Sequence, residues 1–212
     1  MATKIKICGI TNPADAELAA LLGVDMIGVN FYTKSPRHVN EATAAKIVKS
    51  IPPGVEAVAV FVNEPWMNAQ RVAAPLGMRT IQMHGEIGEC LVQGVRSIPA
   101  FAVRDAVSLQ HIMQYLERLR SVGDGPVAIL VDAHVPGQFG GTGQTAPWQL
   151  LAEFQPGVPL ILAGGLTPEN VAEAIRIVKP FAVDVASGVE SSAGKKDAEK
   201  LKRFVEAVRS AT

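Results

Sequence analysis

The sequence predicts an α/β fold: a single (β/α)8 barrel of the TIM type with parallel strands, formed by residues 1–212. Short runs rich in Val, Ile and Ala alternate with amphipathic stretches along the whole chain. Several of these runs are continuously apolar, as is typical of parallel strands covered by helices on both faces. Eight such runs give roughly one βα unit per 26 residues, which is compact for a barrel. An open doubly wound sheet has the same periodicity, so the pattern alone leaves that alternative open.

The predicted elements follow from local patterning. The strands are expected at 4–8, 26–31, 56–61, 80–83, 97–103, 128–131, 160–163 and 182–185. Apolar residues spaced i, i+3, i+4 and i+7 predict three helices. Their buried faces are expected to be Leu109, Ile112, Met113 and Leu116; Val171, Ala174, Ile175 and Val178; and Leu201, Phe204, Val205 and Val208.

Two helix starts are marked by capping residues. Asn12 precedes Pro13, and Thr167 precedes Pro168, so each polar residue is predicted to cap a helix with proline at its first position. The third and fourth helices have no clear bounds, because Pro75 interrupts one pattern and a glycine interrupts the other.

Composition excludes several classes of partner. Twenty basic side chains balance twenty acidic ones, so nucleic acid and anionic membranes are not expected as partners. Cys8 and Cys90 do not suggest a disulfide framework, and no metal-ligand spacing is present. Neither a signal peptide nor an apolar run long enough to cross a bilayer is found. We therefore expect a cytoplasmic protein without a metal, and leave open whether it is a monomer or a homodimer.

Function in such a barrel is expected at the carboxyl ends of the strands. Gly164 and Gly165 follow the seventh strand, and Ser187 and Gly188 follow the eighth. Glycines let backbone N–H groups approach a phosphate closely, and these two loops commonly bind phosphate in barrels. The alternative is that the glycines only form tight turns, but two such pairs on adjacent strand ends favour a phosphate site.

Six motifs at strand ends, in order along the chain, carry a family resemblance. They are 6–11 (KICGIT), 35–37 (SPR), 82–85 (QMHG), 140–143 (GGTG), 162–166 (LAGGL) and 183–190 (VDVASGVE). Together they resemble the phosphoribosylanthranilate isomerases of tryptophan biosynthesis. The resemblance implies an Amadori rearrangement of the phosphosugar substrate N-(5-phosphoribosyl)anthranilate. It also implies that no cofactor is needed, because the substrate iminium acts as the electron sink.

The resemblance implies that Cys8 is the general base and Asp132 the general acid. An unperturbed thiol has a pKa of about 8.5, and an unperturbed aspartate has one of about 3.9. The site is therefore expected to favour the thiolate and the protonated acid, or to work with small populations of each.

Other roles follow from the same resemblance. Arg37 would bind the anthranilate carboxylate through its planar guanidinium. His84 would contact the substrate or serve as a hydrogen-bonded structural residue. Lys6 shares a strand face with Cys8, and Asp184 on the neighbouring eighth strand is its expected partner.

Two positions depart from the family pattern. Ala186 stands where a second serine is common, and Ala146 and Pro147 precede Trp148 where an aromatic and an acidic residue are more usual.

Three alternative functions remain. These are the related histidine-pathway isomerase, which would carry a carboxylate in place of Cys8; indole-glycerol-phosphate synthase, which would need a Lys and Glu arrangement not found here; and an inactive barrel that only binds phosphorylated ligands.

Overall fold

The computed structural model describes residues 2–88, 94–121, 125–132 and 148–211. Eight parallel strands close into a barrel in chain order, because β1 pairs with both β2 and β8. The strands are β1 (Lys4–Cys8), β2 (Met26–Asn30), β3 (Glu56–Val62), β4 (Thr80–His84), β5 (Arg96–Ala102), β6 (Ile129–Asp132), β7 (Leu160–Ala163) and β8 (Ala182–Val185). The predicted fold class is confirmed, and no predicted strand end is displaced by more than one residue.

Seven helices in the described residues surround the strands. They are α1 (Pro13–Leu21), α2 (Glu41–Ser50), α3 (Trp66–Ala73), α4 (Ala106–Ser121), α5 (Trp148–Ala152), α6 (Val171–Val178) and α7 (Ala198–Ser210). A 3-10 turn over Ala74–Leu76 contains Pro75 and follows α3. Another 3-10 turn, Ser187–Val189, follows β8 and leads into a short antiparallel hairpin of β9 (Glu190–Ser192) and β10 (Lys195–Lys196).

The apolar core has two layers because strand side chains alternate between the two faces of the sheet. Outward-facing residues pack with the helices, and inward-facing residues fill the barrel. The inner layer consists of Met26, Val58, Ile98, Ala100, Ala128, Leu130, Ile161, Ala163 and Ala182. Above it, towards the carboxyl ends of the strands, three buried polar residues continue the interior: Lys6, Gln82 and Asp184. The middle of the barrel is therefore apolar, and its carboxyl end, where a site is expected, is polar.

The predicted helix faces are confirmed for α6 and α7, whose predicted apolar residues are all buried. The prediction for α4 is only partly right. Its buried residues are Ile112, Tyr115, Leu116 and Leu119. The face is turned because Tyr115 packs edge-on against Phe101 of β5, with ring centroids 5.3 Å apart.

One predicted helix start is confirmed and one is wrong. Asn12 caps α1, since its Oδ1 accepts a hydrogen bond from Asp15 N at 2.9 Å. Thr167 Oγ1 accepts a hydrogen bond from Glu169 N at 3.2 Å, but Thr167 does not cap α6, which begins at Val171. Instead, Asn170 Oδ1 accepts from Thr167 N at 2.8 Å, and Asn170 Nδ2 donates to Gly165 O at 3.0 Å. These bonds hold residues 164–170 as a loop and turn before the helix starts.

None of the helices found in these residues has the length and apolar content needed to span a membrane.

Candidate active site

A cavity of about 540 Å³ opens at the carboxyl ends of β1, β4, β6, β7 and β8. It brings together nearly all of the residues singled out in the sequence. The predicted site residues that line it are Cys8, His84, Asp132, Gly164, Gly165, Asp184, Ser187 and Gly188. Arg37 is the one predicted site residue that is not part of the lining.

Cys8 ends β1 beside Gly28 of β2, with which it is in register. A Cβ atom at Gly28 would lie 2.9 Å from Cys8 Sγ and 3.1 Å from Lys6 Nζ. Because glycine leaves this space open, the thiol and the ammonium group can lie side by side. Burial raises the pKa of Cys8, the positive charges of Lys6 and Lys196 lower it, and the net change is upward. The thiol is therefore mainly protonated at neutral pH in the free protein.

The predicted pair of Lys6 and Asp184 is present. The two residues are in register across β1 and β8, and Lys6 Nζ lies 3.0 Å from Asp184 Oδ1. Burial lowers the pKa of Lys6, but Asp184 and Cys8 together raise it by more than burial lowers it. The pKa of Lys6 therefore lies above its ordinary value. Lys6 therefore stays charged beneath the thiol.

The glycine turns after β7 and β8 contact one another. Gly164 and Gly165 have φ of 98° and 63°, a backbone conformation that favours glycine. A Cβ atom at Gly188 would lie 1.9 Å from the carbonyl oxygen of Leu166, so only glycine fits there. The glycines are thus needed for tight turns, which is the alternative to a phosphate site that the sequence allows. Both turns also face the cavity, which is the placement that a phosphate site requires.

Arg37 lies beside the cavity rim and is held by Glu190. Its Nε donates to Glu190 Oε1 at 2.8 Å, and its Nη2 donates to Oε2 at 2.6 Å. The side chain passes over Gly9, where a Cβ atom would lie 2.3 Å from Arg37 Cδ. Hydrogen bonding to Glu190 raises the pKa of Arg37, so the guanidinium is permanently charged next to the residue that follows Cys8.

Gln82 and His84 form a polar pair on β4. Their Nε2 atoms lie 2.7 Å apart. An amide nitrogen can only donate, so His84 Nε2 accepts and its ring is neutral. Burial lowers the pKa of His84, as does the charge of Lys6, which agrees with the neutral ring. Gln82 is buried, and its Oε1 has no hydrogen-bond partner in the described part of the chain although it lines the cavity.

Sequence reasoning assigned no role to Glu190 and did not single out Lys196, yet both are buried charges beside the cavity. Glu190 closes the last of the six motifs, whereas Lys196 follows Lys195 in a charged run typical of a surface. Only the alternation of a two-residue strand separates the exposed Lys195 from the buried Lys196. That signal is too short to read from sequence.

Some expectations lie outside the described residues. These are the motif 140–143 and the departures at Ala146 and Pro147, together with Cys90. In the part of the chain that is described, no cluster of three or more His, Cys, Asp or Glu side chains is arranged to hold a metal ion.

A closed parallel barrel whose polar side chains converge at the carboxyl ends of its strands defines the class of (β/α)8-barrel enzymes. Residues 5–207 match the family described as N-(5'-phosphoribosyl)anthranilate (PRA) isomerase. The chain belongs to this family, and the two rival barrel families suggested by the sequence are set aside.

Related proteins and solved structures match this chain over nearly its whole length. The N-(5'-phosphoribosyl)anthranilate isomerase of Trichlorobacter lovleyi is 43% identical over 205 residues, covering 95% of this chain and 96% of that protein. The crystal structure of phosphoribosyl anthranilate isomerase from Thermotoga maritima is 36% identical, with a TM-score of 0.85 and coverage of 98% and 99%. A phosphoribosyl anthranilate isomerase in complex with reduced 1-(o-carboxyphenylamino)-1-deoxyribulose 5-phosphate is 34% identical, with a TM-score of 0.83 and the same coverage.

Proposed function

We propose that this chain catalyses the Amadori rearrangement of N-(5-phosphoribosyl)anthranilate to 1-(2-carboxyphenylamino)-1-deoxyribulose 5-phosphate in tryptophan biosynthesis. The observation that carries the proposal is a single cavity lined by Cys8, Asp132 and two glycine turns in a chain of the PRA isomerase family. A cavity of about 540 Å³ falls within the range of small-molecule sites.

In the first step Asp132, in its protonated form, donates a proton to the furanose oxygen. The bond between C1 and that oxygen breaks, and the nitrogen lone pair forms an iminium with C1. Asp132 ends β6, three strands from β1 around the barrel, and lines the same cavity, so acid and base approach the sugar from different strands.

In the second step Cys8, as the thiolate, removes the proton from C2. The electron pair of the C2–H bond forms a C1–C2 double bond and neutralises the iminium nitrogen. The resulting enolamine then takes up a proton at C1 and loses the proton of its C2 hydroxyl group, which leaves the ketone. All electrons stay within the substrate, so the rearrangement needs no cofactor.

Lys6 supports this step electrostatically. The thiolate is a minority form in the free protein because burial raises the pKa of Cys8. The ammonium of Lys6, paired with Asp184, is adjacent to the sulfur and lowers the cost of the thiolate. The cationic iminium formed in the first step adds a second positive charge when the base is needed.

The ends of the substrate are assigned to the two sides of the cavity. Backbone N–H groups around Gly164, Gly165, Ser187 and Gly188 bind the phosphate, as two adjacent glycine turns permit. Arg37 binds the anthranilate carboxylate. Glu190 occupies the Nε and Nη2 edge of its guanidinium, and the Nη1 edge has no hydrogen bond within the described residues, so a second carboxylate can bind there.

The remaining expectations are part of the proposal. We propose that residues 1–212 form one catalytic domain, that the protein acts in the cytoplasm as a monomer or homodimer, and that it binds no nucleic acid. The neutral formal charge supports the last point.

The test is fluorescence-monitored consumption of phosphoribosylanthranilate by the purified protein, run in D2O so that product carries deuterium at C1. The double variant Cys8→Ser/Asp132→Asn is the control for spontaneous reaction. Binding of the reduced product analogue without turnover would instead identify an inactive phosphosugar-binding barrel.

A further inference from the structure

The hairpin β9–β10 places a fully buried ammonium group between two strand ends. Lys196 Nζ donates to the carbonyl oxygens of Cys8 at 2.7 Å and Ala186 at 3.1 Å. It also donates to Glu190 Oε1 at 2.9 Å. Three ammonium protons therefore meet three oxygens, and the donor capacity of the group is fully used.

The two carbonyls belong to functionally distinct parts of the cavity. The pairing of β1 with β8 runs from Lys4–Ala182 to Ile7–Val185 and stops there. Cys8 and Ala186 are the next residues on each strand. Lys196 donates to the carbonyl oxygens of both residues, and so links β1 to β8 beyond the last residue pair of the two strands. It fixes the residue of the proposed base relative to the turn that begins at Ser187.

Glu190 connects the same lysine to the rim of the cavity. Its two carboxylate oxygens hold Arg37, and Oε1 also accepts from Lys196. The three side chains carry two positive charges and one negative charge. The cluster thus keeps a single net positive charge, enough for one carboxylate, while the geometry of Arg37 is set by Glu190.

We infer that Lys196 and Glu190 are positioning residues with separate roles: Lys196 sets the place of Cys8 relative to the phosphate turn, and Glu190 aims Arg37 at the carboxylate of the substrate. The inference rests on the proposed function. A buried ion pair with no such roles would contribute to folding alone, and its two members would then affect the same quantities.

The first experiment separates kcat from KM. Lys196→Met keeps the length of the side chain and removes the ammonium; kcat is expected to fall on the order of 10²-fold, since misplacement of a reacting group by about 1 Å costs that much. KM should change less than threefold. Glu190→Gln should raise KM on the order of tenfold, by weakening one charge-assisted contact, with kcat nearly unchanged.

Lys200→Met is the matched control. Lys200 Nζ donates to the backbone carbonyl of Glu190 at 2.8 Å, so this change removes an ammonium from the same segment without touching Cys8 or the Glu190 carboxylate. Both kinetic constants should stay within twofold of the native values. Breaking one half of a buried pair also leaves an uncompensated charge. If a single variant does not fold, the double variant Lys196→Met/Glu190→Gln removes both charges and should show both kinetic effects together.

The second experiment needs no substrate. The rate of alkylation of Cys8 by iodoacetamide is followed against pH, with the Cys8 peptide quantified by mass spectrometry. Loss of the nearby positive charge should move the alkylation profile of Lys196→Met to higher pH, and Lys200→Met should not move it. If native protein fails to convert phosphoribosylanthranilate but the profile shifts, the proposed function fails and the role of Lys196 stands. An unshifted profile, or equal losses of kcat in folded Lys196→Met and Glu190→Gln, overturns the inference.

Discussion

The two ends of the barrel hold ion pairs of opposite character. At the carboxyl end, the side chains of Lys6 and Asp184 are 0% and 8% exposed. At the amino end, Arg96 and Glu56 are paired at 2.7 Å, yet their side chains are 53% and 32% exposed. Taking charges out of water costs several kcal/mol per ion, whereas an exposed pair costs and contributes little. Among the residues that the structure describes, the buried charged side chains thus lie at the end where the cavity lies, as is typical of functional sites.

The largest effect is expected for Cys8→Ser at the carboxyl end. Serine has nearly the same size but is far too weakly acidic to act as a comparable base. We expect kcat to fall by about 10⁴-fold, the upper end for acid–base catalysis, with the fold intact by circular dichroism. A loss of only two- to threefold in kcat would contradict the assignment of Cys8 as the general base.

Asp132→Asn tests the proposed acid at the end of β6. Asparagine keeps the shape and can hydrogen-bond, but it cannot deliver a proton to the ring oxygen. We expect kcat to fall by about 10²–10⁴-fold. Titration calorimetry with the reduced product analogue should show binding close to that of the native protein. Near-native turnover, or joint loss of binding and thermal stability, would mean that Asp132 is not the acid.

The substitutions Lys6→Met and Arg96→Met compare how much the ion pairs at the two ends contribute to the free energy of unfolding. Lys6→Met leaves Asp184 as an uncompensated buried charge, so the free energy of unfolding should fall by about 3–5 kcal/mol. The matched change at the amino end, Arg96→Met, should lower it by about 1 kcal/mol or less. Urea denaturation measures both. Equal losses would show that burial of the charges does not distinguish the two ends.

Arg37→Ala is expected to have a smaller effect on function than Cys8→Ser or Asp132→Asn. Loss of one charge-assisted contact should weaken binding of anthranilate-bearing ligands by about 1.5–3 kcal/mol. Binding of a simple phosphosugar such as ribulose 5-phosphate should change little. A similar loss for both ligands in calorimetry would place Arg37 in the phosphate site or in the fold.

The sequence predicted those features that depend on regular geometry. Strand ends followed from apolar runs, and the pair of Lys6 and Asp184 followed from two-residue periodicity on adjacent strands. The same logic placed Cys8 and Asp132 at the same end of the barrel, where both now line one cavity. Their catalytic roles stay predictions.

Features set by irregular backbone were not predicted. The pairing of Arg37 with Glu190 joins segments 153 residues apart, neither of which has a period to follow. Lys196 is directed inward by a register shift between Lys195 and Lys196, and two of its three acceptors are backbone carbonyls, which leave no trace in side-chain type. Thr167 does not start α6, because residues 168–170 form a separate turn, within which Thr167 Oγ1 accepts from Glu169 N.

The bond between Lys196 and the carbonyl of Cys8 also has a consequence for biosynthesis of the protein. It joins residues 188 positions apart. A ribosome adds about 5–20 residues per second, so roughly 10–40 s pass between synthesis of the two residues. During that interval the nascent chain carries a thiol whose final environment does not yet exist. The cysteine is therefore brought into its reactive setting only after β9 and β10 have emerged, and an incomplete chain on the ribosome has no assembled active site.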